Sequence, residues 1–210
     1  MADISREDAW QLVTEWVESD SLRKHLLGVE AAMRAYARKW DEDEEIYAVT
    51  GLVHDLDYER YPDLETGHPR HAIKVLEERG YPQEVIDAVA GHADFMGVPR
   101  ETLMAKTLYG VDELSGFVAA CALVRPTGID GMKPKSVKKK LKQPSFAAAV
   151  NREEVQRGID ELGVDQDEHI ALIIEALAER SDELGLGPRH ETGSPSAPPA
   201  GDPRTSASDG

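Results

Sequence analysis

Cysteine, aromatic residues and long apolar runs are all scarce in this chain of 210 residues. Cys121 is its only cysteine, so no intrachain disulfide can form, and we expect a cytoplasmic protein. The longest unbroken apolar run, at residues 117–124, is far shorter than the roughly 20 residues that a membrane-spanning helix needs. The N-terminus carries Asp3, Glu7 and Asp8, where a secretory signal would be basic and then apolar. These absences predict no membrane partner.

Basic residues are also few, because 24 lysines and arginines face 40 acidic residues and leave a formal net charge of −16. Such an excess of negative charge is atypical of proteins that bind nucleic acids or anionic membranes. Residues 125–142 are the exception, since they hold seven basic residues and one acidic residue. Two interpretations remain open for this basic segment: a loop surrounded by solvent, or a surface that attracts a phosphorylated substrate.

The alternation of apolar and polar residues that marks a half-buried strand is absent as well. Apolar residues instead recur every three or four positions, as at Leu22, Leu26, Val29 and Met33. We predict an all-α helical bundle over residues 1–185, with its chemistry at about 20–125 and additional C-terminal helices, one of them at 165–184. Residues 186–210 hold few apolar side chains and are predicted to form a disordered tail.

Histidines and aspartates provide the candidate chemistry. His25 has the helical spacing of the apolar residues around it, the adjacent His54 and Asp55 end an apolar run, and Asp112 lies within another apolar stretch. A single inward histidine is more often hydrogen-bonded in a core than bound to a metal. Several such residues on separate helices favour a metal site instead, because imidazole and carboxylate are suitable ligands for transition metals.

The order His25, then His54 and Asp55, then Asp112 resembles the H…HD…D signature of the HD-domain metal-dependent phosphohydrolases. The flanking residues resemble that family too, in segments 24–29 (KHLLGV), 51–55 (GLVHD) and 109–114 (YGVDEL). The resemblance is strong over about residues 20–125 and loose beyond them. It implies an HD-type helical bundle that binds a divalent transition metal such as Mn, Fe, Co, Ni or Zn, with one or two ions per chain.

Some members of that family insert two further histidines, giving an H…HD…H…H…D variant that holds two metals. His68 and His92 resemble these inserted histidines. His71 follows three residues after His68, at a position where the family pattern has a small residue. We therefore prefer His68 as the ligand and interpret His71 as a neighbour of the substrate or of a ligand.

The resemblance implies that a metal-bound hydroxide hydrolyses a phosphoester, such as a nucleotide or another small phosphorylated metabolite. Asp55 would be shared between two ions and, with His54, would form the catalytic centre. His25 and Asp112 would complete the ligands of the first ion, and the inserted histidines those of the second. Two ions held close together lower the pKa of a bridging water and stabilise the oxygens of a phosphate during its transfer.

Two other functions remain open at this point. A few HD-like proteins with the same ligands use two irons and dioxygen to oxidise a substrate, and residue spacing does not separate the two chemistries. The third hypothesis is a non-catalytic HD module that binds a nucleotide or a partner. The complete ligand set argues against it, because a degenerate site should have lost at least one ligand.

Other polar residues give weaker signals. Lys106 and Arg125, together with His71, are candidates to contact the substrate, although an ordinary surface position is the alternative for both cations. Asp57 is either a solvated loop acid or a group that orients a ligand. His169 lies on a late helix outside the resemblance, and we predict it at the surface or at an interface.

Overall fold

A computed structural model describes residues 4–188 and contains, over that range, helices and no strands. The α-helices are α1 (Arg6–Trp16), α2 (Asp20–Trp40), α3 (Glu44–Val53), α4 (Arg70–Glu78), α5 (Gln83–Gly91), α6 (Leu103–Leu123), α7 (Pro134–Leu141), α8 (Arg152–Leu162), α9 (Gln166–Glu179) and α10 (Ser181–Leu184). A short 3-10 helix, Asp94–Met96, lies between α5 and α6. The prediction of an all-α bundle with additional C-terminal helices is confirmed.

Side-chain caps define where several of these helices begin. Ser5 and Asp8 form a capping box at α1, in which each side chain accepts from the backbone N–H of the other residue. Asn151 caps α8 as its spacing predicts, and Asp165 caps α9 in the same way. Each cap satisfies N–H groups that have no partner within their own helix, so these boundaries follow directly from the sequence.

The two longest helices, α2 and α6, form the centre of the bundle. Helix α2 packs against α3, α6 and α9, while α6 also packs against α5 and α8. A glycine allows one of these close approaches: a Cβ atom added at Gly51 of α3 would lie 2.9 Å from the Glu30 Cα atom of α2. This backbone contact lies near the end of α3 and therefore fixes the position of the residues that follow it.

The single helix predicted at residues 165–184 is wrong, because the chain forms α9 and α10 with a break at Arg180. The backbone of Arg180 leaves the helical region there, with φ −119° and ψ 23°. Its guanidinium donates to Glu30, a buried carboxylate of α2 that also accepts from Arg6. No glycine or proline marks this position, so the sequence gives no sign of the break.

After the break the chain returns to the bundle, where Leu184 and Leu186 are buried. The carbonyl of Leu186, the first residue of the predicted tail, accepts from the backbone N–H of Ile129 at 2.8 Å. The rest of the predicted tail, beyond Pro188, lies outside the described residues, as do residues 1–3. Within residues 4–188, no helix is both long and apolar enough to cross a bilayer.

Candidate metal centre

The candidate ligands come from the interiors of the two central helices and from the ends of shorter ones. His54 and His92 cap the C-terminal ends of α3 and α5, and His68 lies just before α4. We use the name histidine–aspartate cluster for the residues that the structure brings together here: His25, His54, Asp55, His68, His92 and Asp112.

Asp55 occupies the centre of the cluster and presents its two oxygens to different pairs of histidines. Its Oδ2 atom lies 3.8 Å from His25 Nε2 and 3.6 Å from His54 Nε2. Its Oδ1 atom lies 3.4 Å from the Nε2 atoms of both His68 and His92. Each oxygen thus belongs to a separate group of potential ligand atoms, and the atoms of each group lie within 4.8 Å of one another.

Asp112 joins the first of these groups from α6. Its Oδ1 atom lies 3.0 Å from His25 Nε2 and 3.3 Å from His54 Nε2. The first group therefore takes residues from α2, from the turn after α3 and from α6, which are the elements that pack at the centre of the bundle. The arrangement depends on tertiary packing and not on a short local motif.

Hydrogen bonds at Nδ1 orient two of the histidines. The Nδ1–H group of His54 donates to the Gly51 carbonyl at 2.9 Å, and that of His92 donates to the Val89 carbonyl. Because a carbonyl oxygen only accepts, Nδ1 carries the proton in both rings when they are neutral, and Nε2 keeps its lone pair, which in His92 lies 3.2 Å from His68 Nε2. Both rings therefore present a potential metal-binding nitrogen to the cluster.

Asp57 orients the third histidine. Its fully buried carboxylate accepts from His68 Nδ1–H at 2.8 Å through Oδ1, and from the backbone N–H of Ala72 at 2.9 Å through Oδ2. The second of these bonds caps the first turn of α4. Of the two roles that the sequence left open for Asp57, the solvated loop acid is excluded, and the carboxylate orients a histidine of the cluster.

One buried atom indicates directly that a cation fits here. His54 Nε2 is buried and makes no hydrogen bond, although Asp112 Oδ1 lies 3.3 Å away. A buried polar atom without a partner costs about 1–3 kcal/mol. A metal ion bound by its lone pair, beside two carboxylates, removes that cost. The cluster thus has suitable donor atoms, oriented imidazole rings and a buried nitrogen without a hydrogen bond, and all three features fit a metal site.

The electrostatics of the cluster favour positive charge at the same place. Burial alone would lower the pKa of His54, but the carboxylates of Asp55 and Asp112 outweigh it and raise the pKa to about 9. Burial would likewise raise the pKa of both carboxyls, yet the neighbouring histidines hold the pKa of each well below its usual range. A field that favours a proton on His54 also favours a divalent cation.

Comparison with known families gives a match that contains the whole cluster. The family model of the HD domain matches residues 22–116. This part of the chain is an HD domain. No curated protein and no solved structure matches the chain. The HD domain suggests the family of metal-dependent hydrolases, and its histidines and aspartates fit a metal site as the resemblance implies.

The residues predicted to contact the substrate lie outside the cluster of the HD domain. His71 stacks on Tyr61 with 3.8 Å between ring centroids, so the structure places His68 and not His71 among the potential ligands. Lys106 lies six residues before Asp112 on α6, about 9 Å along the helix axis. Arg125 donates to Thr127 Oγ1 and to the Asp130 carbonyl within its own loop.

The basic segment surrounds a different cavity. Lys138 pairs with Asp167 at 2.5 Å, and Lys140 lies over the ring of Phe146. Together with Arg125, Lys139 and Lys140 line a cavity of about 280 Å³ that shares no lining residue with the cavity beside His25. Lys138 is thus engaged in an ion pair and Lys140 in a contact with an aromatic ring.

Sequence reasoning missed Arg100, which supports the end of α5 beside His92. Its guanidinium donates to the Gly91 carbonyl at 2.7 Å, to Asp94 at 2.9 Å, and through two bonds of 2.7 Å to Glu161 of α8. A paired arginine of this kind fixes both position and angle. Its partner Glu161 is 61 residues away, so no local pattern reveals this pair. His169, predicted at the surface or an interface, is instead fully buried between α2, α6 and α9.

Proposed function

We propose that this HD domain binds two divalent transition-metal ions and hydrolyses a phosphoester of a small metabolite. The observation that supports it most is the position of Asp55, with one carboxylate oxygen beside His25 and His54 and the other beside His68 and His92. A carboxylate placed in this way suits a ligand shared between two ions. Asp112 would complete the ligands of the first ion.

The bound ions would supply two things: a water of lowered pKa and a positive field for the oxygens of the phosphate. The protein's contribution is to hold the ligands without rearrangement. The Gly51 and Val89 carbonyls and the Asp57 carboxylate keep three imidazole rings in a single tautomer. No serine or cysteine nucleophile is needed for this chemistry, and the single cysteine, Cys121, is buried with its pKa raised by that burial to about 11.

Metal analysis combined with a phosphate-release assay tests the proposal. The protein is purified without oxygen, stripped of metal, and loaded separately with Mn, Fe, Co, Ni or Zn. We expect up to two ions per chain and phosphate release from at least one member of a panel of phosphorylated metabolites and alkyl phosphates. The metal titration is read by mass spectrometry, so it reports on the site even before a good substrate is found.

The same preparation separates hydrolysis from oxidation. Oxygen uptake is followed during the assay of the iron-loaded protein. Substrate-dependent oxygen uptake without phosphate release would overturn the proposal in favour of a diiron oxygenase. Failure to retain any of the metals would instead favour a non-catalytic binding module.

A further inference from the structure

A cavity beside the cluster indicates which kind of phosphoester this site accepts. The cavity has a volume of about 380 Å³ and lies between α2, α6 and the C-terminal segment 177–186. We call it the α2–α6 cavity. His25 forms part of its wall, and its Nε2 atom lies 3.8 Å from Asp55 and 3.0 Å from Asp112, so the cavity borders the histidine–aspartate cluster at this residue.

Small residues create the space. Gly28 on α2 and Gly116, Ala119 and Ala120 on α6 form the wall nearest to His25. A Cβ atom added at Gly28 would meet nothing within 4 Å, and one added at Gly116 would lie 3.7 Å from His25 Nδ1. Side chains larger than methyl at these positions would therefore grow into the cavity, so the missing side chains leave room directly beside a proposed ligand.

The opposite wall is apolar. It is formed by Leu177 of α9, Leu184 of α10 and Leu186, all of which are buried. A surface of this composition gains free energy from contact with hydrocarbon and offers no partners to the polar edges of a nucleobase or a sugar. For comparison, an apolar cavity of about 150 Å³ in another protein accommodates benzene.

Only a few polar groups face this space. Ser115 lines the cavity, but it is 2 % exposed and its Oγ atom is buried, so it offers no accessible polar group there. Among the lining residues within 4–188, Lys24 is the only lysine or arginine, and Asp20 pairs with it at 2.6 Å. The cavity is therefore not built to hold a polyphosphate, and the anionic end of a ligand belongs at the metal centre.

We propose that the substrate is a phosphoester with an apolar organic body, and that the α2–α6 cavity binds this body while the phosphate lies at the cluster. The proposal rests on the proposed function and deepens it by naming the substrate class. It favours an aliphatic or aromatic phosphate monoester over a nucleotide. Each methylene group transferred from water to such a wall improves binding by about three- to fourfold.

A homologous series of ligands tests this inference. The kcat/KM values for methyl, butyl and hexyl phosphate are measured with the metal-loaded protein, and binding of the corresponding alkylphosphonates is measured by calorimetry. We expect both quantities to rise with chain length, by at least 30-fold from methyl to hexyl. Equal values along the series, or a preference for a nucleoside monophosphate over hexyl phosphate, would overturn the assignment.

Gly28→Leu fills the cavity, and Gly28→Ala is its matched control because both remove the same helical glycine. We expect the ratio of hexyl to methyl affinity to fall at least tenfold in Gly28→Leu relative to Gly28→Ala. Since the ratio is taken within each variant, a general loss of activity or stability cancels. An unchanged ratio would place the apolar body elsewhere on the protein.

The two proposals fail in distinguishable ways. If no phosphoester is hydrolysed with any metal, the hydrolase proposal fails, while calorimetry with the alkylphosphonates still decides whether the cavity binds apolar chains. A protein truncated after Pro188 provides one more comparison. Much tighter hexylphosphonate binding by the truncated protein would show that the chain beyond Pro188 occupies the cavity, and would overturn its assignment to a substrate.

Discussion

His54 and His169 are both fully buried in the same helical bundle, yet their surroundings have opposite effects. At His169, Nε2–H donates to the Gly110 carbonyl and Nδ1 accepts from the Tyr36 hydroxyl, so both ring nitrogens are satisfied. At His54 only Nδ1 has a partner. Burial lowers the pKa of His169 to about 4, whereas the carboxylates beside His54 overcome burial and raise its pKa to about 9.

The comparison teaches how a structural histidine differs from a functional one. His169 has its hydrogen bonds completed by the protein, so it ties α2, α6 and α9 together and has nothing left to offer a ligand. Within residues 4–188, His54 Nε2 makes no hydrogen bond, and the two carboxylates beside it favour a positive charge there, either a proton or a metal ion. Burial alone does not distinguish the two roles, but the count of unsatisfied atoms does.

The largest effect is expected from removing the centre of the cluster. Asp55→Ala should abolish retention of both ions and lower phosphohydrolase activity by more than about 100-fold, because even groups that only support metal ligands contribute roughly 10–100-fold. Helical circular dichroism should persist. Metal content by mass spectrometry and phosphate release check this, and full activity in the variant would contradict the proposed role of Asp55.

Metal stoichiometry should distinguish His92, which lies in the second group of potential ligands, from His71, which lies outside the cluster. His92→Ala should retain about one ion per chain where the wild type retains two, since the second group would lose one of its ligand atoms. His71→Ala is the matched control, because His71 stacks on Tyr61 outside the cluster. Loss of an ion in His71→Ala but not in His92→Ala would reverse our assignment.

Replacing His169 should lower the stability of the protein without changing its metal content. His169→Ala should lower the free energy of unfolding by about 3 kcal/mol, because it leaves a cavity and removes the buried partners of Tyr36 and of the Gly110 carbonyl. Urea denaturation measures this change, and metal content should stay at the wild-type value. A loss of metal without a loss of stability would end the distinction between the two histidines.

The same residue predicts a pH dependence of stability. Its folded pKa of about 4 lies below the unfolded value of 6.5, so the unfolded chain binds more protons between these values. The contribution of His169 is therefore complete above pH 6.5 and is lost as the pH falls towards 4, by about 2 kcal/mol between pH 7 and pH 5. His169→Gln does not titrate, so it should lose that much less stability over this range, as denaturation at each pH can show.

The smallest effect is expected from the basic segment. Lys139→Gln combined with Lys140→Gln should change KM for a phosphoester less than twofold, because these lysines line a cavity separate from the one beside His25. Steady-state kinetics at low and moderate salt provide the measurement. A several-fold rise in KM that disappears at high salt would instead assign this segment a role in attracting the substrate.

The sequence predicted the parts of this molecule that depend on periodicity, capping and an ordered motif. Helical spacing and the caps at Ser5 and Asn151 are local properties, so the all-α bundle followed from them. The resemblance to HD domains named every residue of the cluster, and the family match confirms the domain. The choice of His68 over His71 rested on the same resemblance and stays a prediction, with His68 beside Asp55 and His71 stacked on Tyr61.

What the sequence left open depends on contacts between distant residues. Helical periodicity shows that a residue faces inward but not what lies opposite, so His169 was wrongly predicted at a surface or interface and Asp57 stayed undecided. At the break, Arg180 binds Glu30, which is 150 residues away, so no local pattern reveals this contact. The α2–α6 cavity is invisible for the same reason, because its walls come from three separate parts of the chain.

The origin of those walls has a consequence for how such a protein can diverge. Every residue of the cluster lies within the matched range 22–116, while Leu177, Leu184 and Leu186 lie well beyond it. The cluster and one wall of the α2–α6 cavity are therefore encoded in different stretches of the gene. Substitutions in the later stretch alter the shape and polarity beside His25 without replacing a residue of the cluster. Under the proposed function, a lineage could change its substrate there while the proposed metal ligands are inherited intact.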